Sequence, residues 1–485
     1  MIFEKILYWW SRPAGWRDVL AIAVPMIISS GSWAIMNFAD RVMLTWYSEN
    51  TAELFAHENV AQPASEIAAA ATGAATAAGS LYLVITSLPL GIMMLINAFV
   101  SQYYGAGKPH RIGPVVWQGA FFGMILLPVY VLLEPVFASV FSLMKHEPGL
   151  IVLEKRYMHF ALYGVGAQIS AESIAAFFIG RGKTRTVMSV NIVSDVANVL
   201  IGFPLIFGRF GFPELGTGGA ALATTICMWF RFLAFFSLMF VANGRNDQFC
   251  VLRGRRIDLS LIRRIFRFGF PGGVEYMFET ISFSAFIMLM GTLNPQALSA
   301  TAIAFSLNSL SFLPLIGMGI AVMSIVGRYL GENHPELAQR ATLTALTLGL
   351  ISNSFFVILF LFFPNSLLYA YMMFSDAESF APLHDMTVII LRFIAIYLLF
   401  DGVNIVFMSA IKGAGDTLYL LFATLIMAPI LAGTCLLFIW LGFGVYACWT
   451  ILTVWTCAYA GIYGLRFFQG KWKKMRVIEQ DYTAE

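Results

Sequence analysis

Charge is scarce in this sequence. Asp, Glu, Lys and Arg make up 12% of the 485 residues, while hydrophobic residues make up 59%. A soluble domain carries about 25% charged residues. No soluble interior can hold this much apolar side chain, so lipid must cover the excess. The net charge of +3 is too small to point to nucleic acid. Cysteine is also sparse. Cys227, Cys250, Cys435, Cys448 and Cys457 lack metal-ligand spacing and mostly lie in apolar runs, which makes them small buried hydrophobes. The six histidines form no ligand cluster. There is no H-E-x-x-H pair, no G-x-S-x-G elbow and no P-loop. Enzyme chemistry and ATP-driven pumping by this chain are therefore not expected, and no cofactor or resident metal is implied. A cleavable signal is lacking too. The opening MIFEKILYWWSRPAGWRDVL is amphipathic and Trp-rich, and reads as an interfacial helix leading into the first span.

What is present is a series of long apolar runs, at about 17–47, 68–103, 114–143, 150–180, 184–208, 215–242, 265–291, 296–330, 337–363, 384–411, 417–441 and 443–468. Each is long enough to cross a bilayer as a helix. None alternates apolar and polar residues as a barrel strand would. The fold class is therefore an all-α polytopic membrane protein with twelve transmembrane helices. Lys and Arg fall mainly on one side: the N-terminus, the C-terminus and the loops following even-numbered spans hold 23 of the 30. The other side holds Arg41, Lys145, Lys155, Arg156 and Arg209, and Arg231 and Arg392 lie inside spans. By the positive-inside rule both termini are cytoplasmic, and the expected location is the plasma (inner) membrane. SENTAELFAHENVAQPASE, which lacks Lys and Arg, then faces outside.

The two halves repeat each other. AVPM around Pro25 matches GFPG around Pro271, and VSQYYGAGKPH matches VGRYLGENHPE. IGRGKT matches KGAGDT, and ELGTGGAA matches WLGFGVYA. Six spans per half give both halves one orientation, a parallel repeat with an axis along the membrane normal. The expected division is an N-terminal six-helix bundle at 1–242, a basic cytoplasmic linker at 243–264 and a C-terminal bundle with a basic tail at 265–485. An outer-loop insertion at about 48–66 belongs to the first half alone. Carriers of this kind hold a central cavity at the repeat interface.

Carboxylates in membrane helices are costly and mark sites. Asn191, Asp195 and Asn198 share one face of the fifth span. Asn residues alone would suit helix–helix hydrogen bonding, but an Asp within the stripe makes a cation or proton site the better reading. Glu275 and Glu279 share a face of the seventh span. Asp401 has Tyr397 four residues before it and Asn404 three after, again on one face. Arg392 lies on the opposite face of that helix from Asp401, so the two do not pair. Arg231 remains a potential partner for any of the acids. Glu134, before Pro135, reads as a solvated helix end, and Glu172 as structural.

Seven segments in order resemble the MATE (multidrug and toxic compound extrusion) family. They are MNFADRVM, the GAGK loop, IGRGKT, FPELGTGGAALAT, FGFPGGVEYMFET, VGRYLGENHPELA and IYLLFDGVNIVFMSAIKGAGDT. The family belongs to the multidrug/oligosaccharidyl-lipid/polysaccharide flippase superfamily. The resemblance implies a monomeric multidrug efflux antiporter that exports small organic, often cationic compounds in exchange for H⁺ or Na⁺. It also implies a first-lobe coupling group of Asp40, Asn191, Asp195 and Thr224. The second-lobe group would be Glu279, Tyr397 and Asp401. Glu275 serves equally well as a member of that group or as a structural partner, and Asn198 and Asn404 are supporting polar residues. Two features depart from the family pattern: the long outer loop, and Arg41 directly after Asp40. The alternatives are a lipid-linked precursor flippase, which the acidic cavity candidates disfavour, and a membrane enzyme or scaffold. In the repeat register Glu279 matches Trp33 and Asp401 matches Gln168, so the acids are not duplicated with the scaffold.

Overall fold

A computed structural model describes residues 9–47, 64–143, 146–372 and 377–479. The expected start of the interfacial helix, Lys145 and most of the outer-loop insertion lie outside the described residues. Among these the regular structure is all helical. Eleven helices are long and apolar enough to cross a membrane, and one bent pair makes a twelfth span. Span 1 is Trp16–Trp46, and span 2 is Ala64–Met94 continued by Ile96–Gly105. Span 3 is Ile112–Leu132 followed by Glu134–Leu143, and span 4 is Pro148–Leu162 with Val165–Ile179. Spans 5 to 8 are Thr184–Phe207, Thr217–Asn243, Leu259–Leu293 and Pro295–Gly331. Spans 9 to 12 are Pro335–Phe362, Ala377–Ala414, Thr417–Trp440 and Val445–Gln469.

The interruptions have local causes. Span 3 breaks just before Pro135, which lacks an N–H and disfavours helical backbone at Glu134. Span 4, expected as one helix over 150–180, bends by 45° between its two pieces. Span 6 fills the bend. Thr225 donates its hydroxyl to the Phe160 carbonyl at 2.8 Å, and Trp229 donates its indole N–H to the Tyr163 carbonyl at 3.1 Å. These side chains satisfy carbonyls that a straight helix would bond internally. In span 2, Pro89 cannot donate to the Ile85 carbonyl. The Tyr130 hydroxyl of span 3 donates there instead, at 2.6 Å.

The buried apolar side chains form two large clusters, one drawn mostly from residues before 252 and the other mostly from residues after 285. The starts of spans 1 and 7 cross over. Val19 and Ala23 pack into the later cluster, while Leu261 and Ile265 pack into the earlier one. Small residues bring the backbones together at the end of the molecule where spans 1 and 7 begin. A Cβ on Gly91 would lie 2.7 Å from the Gly273 Cα, and one on Gly273 would lie 2.5 Å from the Leu88 carbonyl oxygen. A Cβ on Gly317 would lie 2.5 Å from Ile27. Gly105 and Gly331 are packed directly against the Arg328 and Gln102 backbones. Further along the first span, Gly31 meets nothing within 4 Å. The two sets of helices thus close on each other at this end.

The chain after span 12 reinforces that closure. Trp472 is fully buried and stacks on Phe467 at 5.1 Å. The Val477 N–H donates to Gln102 Oε1 at 2.9 Å, and Gln102 donates to the Gly413 carbonyl at 2.9 Å. Glu479 accepts from the Tyr103 hydroxyl at 2.6 Å and is ion-paired with Arg264, with Arg111 at 3.6 Å. Burial pushes the Glu479 carboxyl up, but the Tyr103 hydroxyl and the two guanidiniums outweigh it and hold the group below the ordinary carboxylate range.

Two outcomes follow from this packing. Gly273→Val should lower the melting temperature of the purified protein, at a cost of about 1–3 kcal/mol for overpacking; an unchanged melting temperature would contradict the close contact. Glu479 has a folded pKa below its unfolded one, so its contribution is present above the unfolded value, about 4.3, and fades as pH falls. The stability gap between wild type and Glu479→Gln should be present at neutral pH and shrink on acidification, as read by thermal melts across pH.

Candidate functional site

Two groups of polar residues inside the spans hold most of the acids singled out from the sequence. The first lies among spans 1, 5 and 6. With the Asn198 carboxamide oriented to suit its neighbours, its nitrogen donates to both Asp40 oxygens, at 3.1 and 3.3 Å. Its oxygen then accepts from the Thr224 hydroxyl at 3.1 Å and the Thr224 N–H at 3.2 Å. Asn198 is fully buried. Gly202, one turn further along span 5, leaves room for the Asp40 carboxylate: a Cβ there would stand 3.8 Å from Asp40 Oδ1.

This arrangement corrects the expected grouping. Asn191 does not reach Asp40 but donates to the Ser29 hydroxyl of span 1 at 2.7 Å. Asp195 is 3% exposed, and its carboxylate lies 3.3 Å from Arg231 of span 6. The reason is register. Spans 1 and 5 run parallel, and Ser29 stands beside Asn191. Asp40, eleven residues beyond Ser29, therefore reaches span 5 well past Asn191, between Asn198 and Gly202. The fixed cation is Arg231, which the sequence left without a specific partner. Glu172 is half-buried and within electrostatic reach of Arg231. Arg41 is exposed. Glu134 is not merely a solvated helix end, since it hydrogen-bonds the His159 ring at 2.7 Å.

The second place is a cavity among spans 7, 8, 10, 11 and 12. It encloses about 540 Å³ of space free of protein atoms, open solvent at its mouth included. Glu275, Glu279, Tyr397, Asp401 and Asn404 all line it. Every second-lobe residue singled out from the sequence is thus brought to one site. The Tyr397 hydroxyl accepts from Asn308 of span 8 at 2.9 Å. Asp401 is 6% exposed, and its Oδ2 and the Asn404 Oδ1 are buried without a hydrogen-bond partner. Glu275 is ion-paired with Lys412 at 2.7 Å. Among the described residues no cation lies within ion-pair distance of Glu279, Asp401 or Asp40.

Lys412 is the residue that sequence reading misplaced. It was counted with the basic loop after span 10, yet the helix continues to Ala414 and buries it to 8% exposure. Lys412 lies eleven residues after Asp401. Three helical turns of about 3.6 residues return nearly to the same face, and that periodicity was the available signal. The opposite wall was also missed. Trp455, Tyr459 and Tyr463 recur every fourth residue along span 12 and line the cavity. The Trp455 and Tyr459 rings meet edge to face at 4.6 Å. Their spacing was readable, but in a chain with 15% aromatic residues it looks like ordinary packing. Carboxylates facing aromatic rings make a surface suited to a cation, held by charge on one side and by ring faces on the other.

Such a twelve-span helical membrane protein, with ionisable groups gathered at two interior sites, has counterparts among known proteins. The MatE family profile matches residues 60–203 and 271–437, well over half of the sequence. The chain belongs to the MatE family. It is 26% identical over 457 residues to the probable multidrug resistance protein NorM of Bradyrhizobium diazoefficiens, covering 93% of this chain and 92% of that protein. It is also 26% identical over 416 residues to the multidrug resistance protein MdtK of Proteus mirabilis, covering 84% of each. Among solved structures, a MOP superfamily transporter from Pyrococcus furiosus superposes with a TM-score of 0.81 at 18% identity, covering 97% of this chain and 99% of that one. An outward-facing multidrug resistance MATE family transporter of the MOP superfamily gives 0.80, with the same identity and coverage. These likenesses show that the fold is shared.

Lys412→Met should leave the Glu275 charge buried and unpaired, destabilising the protein by about 3–5 kcal/mol. Adding Glu275→Gln should restore most of the loss. Thermal melts of the single and double variants measure this, and a double variant no better than the single would refute the pairing.

Proposed function

We propose that this chain is a secondary active multidrug efflux antiporter. It exports small organic, often cationic compounds in exchange for H⁺ or Na⁺ by alternating access. One observation carries this reading: the acids of the two sites divide into two kinds. Asp195 and Glu275 each have a fixed cation, Arg231 and Lys412. Among the described residues Asp40, Glu279 and Asp401 have none within ion-pair distance, and Lys412 acts on Glu279 only through space. A carboxylate inside a membrane without a protein counter-ion is suited to a mobile one. A proton or Na⁺ and an organic cation then compete for the same acids, and competition at one site gives exchange. The relatives named above as multidrug resistance proteins support the substrate class.

The lopsided Lys and Arg distribution supports cytoplasmic termini, and the proposed location is the plasma (inner) membrane. In that orientation the closed, glycine-packed end is cytoplasmic, which fits an outward-facing state. The two sets of six helices rock about the basic linker at 243–264, and binding of the coupling ion in the outward state favours the switch. The two acid clusters play different parts. Asp40 with Asn198 and Thr224 forms a small ion-sized group, while Glu279 and Asp401 face the aromatic wall that suits an organic cation.

The test is efflux of a fluorescent organic cation from proteoliposomes with an imposed proton or Na⁺ gradient. Wild type should respond to at least one gradient. Asp40→Asn and Asp401→Asn should each reduce gradient-driven transport to near background while the protein stays folded. Wild-type-like transport from Asp40→Asn, Glu279→Gln and Asp401→Asn combined would refute the role of these acids. Transport indifferent to both gradients would refute antiport.

A further inference from the structure

Where span 7 begins beside span 3, the surface carries an apolar groove that neither acid cluster uses. It holds about 550 Å³ of empty space, open side included. Met93 of span 2, fully buried, forms the floor. Phe122 of span 3 and Phe266 of span 7 meet edge to face at 5.1 Å across it. Ile125 and Ile257, 62% and 68% exposed, form its lips. Gln118 is its one polar lining residue, and its carboxamide is committed elsewhere. It donates to the Arg256 carbonyl at 2.9 Å and accepts from the Asp258 N–H at 3.3 Å. Nothing polar is left to greet a ligand within the groove, so its occupant must be apolar there.

The rim is the opposite. Arg255 and Arg256 directly precede the lip residue Ile257, and Arg263 directly follows the wall residue Ile262. All three are exposed, and among the described residues none is in an ion pair. The nearby acids are already occupied. Asp247 accepts from the Asn243 side chain and the Leu252 and Arg253 N–H groups. Asp258 caps span 7 by accepting from the Ser260 and Leu261 N–H groups. Arg264 is taken by Glu479. Trp117 donates its indole N–H to the Val251 carbonyl at 2.8 Å, placing an amphipathic ring close by, as at a headgroup boundary.

From this juxtaposition we infer that the groove between spans 3 and 7 is a binding site for an anionic phospholipid, with an acyl chain in the groove and the phosphate on Arg255, Arg256 and Arg263. Arginines beside an apolar intramembrane slot match both parts of such a molecule. A zwitterionic lipid would keep the chain contact but gain little from the rim, and free phosphate would lose the groove.

The experiment is native mass spectrometry of the full-length protein in detergent, titrated with phosphatidylglycerol or with phosphatidylcholine of identical chains. Wild type should retain phosphatidylglycerol preferentially. Each of Arg255→Gln, Arg256→Gln and Arg263→Gln should reduce that preference by about fivefold, and the triple variant should treat the two lipids alike. Ile125→Trp, which fills the groove from an exposed lip, should weaken both lipids. Lys183→Gln with Arg185→Gln removes charge from another loop and should leave the preference intact. Equal retention of both lipids by wild type would overturn the proposal. So would a preference that survives the triple variant, or one lost equally in the Lys183/Arg185 control. Displacement of the lipid by inorganic phosphate would reassign the rim to a free anion and overturn it as well.

Discussion

A charge inside hydrocarbon must be paired, hydrogen-bonded or wetted, because the bilayer offers it nothing. This constraint organises the molecule. Five of the acids inside the spans are drawn to two places where helices from different parts of the chain supply amides, hydroxyls or cations. Arg231 and Lys412 each sit on a helix other than their partner's, so each pair also ties two spans together. Two of the acids left without such a partner, Glu279 and Asp401, line the cavity of the second site.

The same demand explains the breaks in the helices. The Ile85 carbonyl freed by Pro89 is met by Tyr130, and the bend in span 4 is met by Thr225 and Trp229. Each of these two interruptions is met by side chains from a neighbouring span. Single apolar runs announce a span, but they do not announce which neighbour will reach into it. That is why the twelve spans were legible within a few residues while the bend between Leu162 and Val165 was not.

The candidate site was legible to different degrees for the same reason. In the second cluster the residues share faces of spans 7 and 10, and face-sharing is periodic, so Glu275, Glu279, Tyr397, Asp401 and Asn404 could be grouped in advance. In the first cluster the grouping depended on how far span 1 slides along span 5. One helix's periodicity carries no information on that slide, and Asn198 took the place expected of Asn191 and Asp195. The two halves also diverge in chemistry. Gln168, the repeat counterpart of Asp401, accepts from the Tyr82 hydroxyl at 2.6 Å. Trp33, the counterpart of Glu279, is more than half exposed. Where the second half holds acids, the first holds a satisfied amide and an exposed indole.

The segment after span 12 carries a consequence for biosynthesis. Val477 and Glu479 bind Gln102 and Tyr103, more than 370 positions earlier in the chain. A ribosome delivers residues in order, so spans 1 to 6 are made and inserted long before these partners exist. Until then the Gln102 carboxamide lacks both the Val477 N–H and the Gly413 carbonyl that occupy it in the finished protein. The first half can reach the membrane alone, but its surface at this end is completed only after span 12 has emerged. Assembly at this end therefore waits for residues made after span 12 to reach residues of span 2.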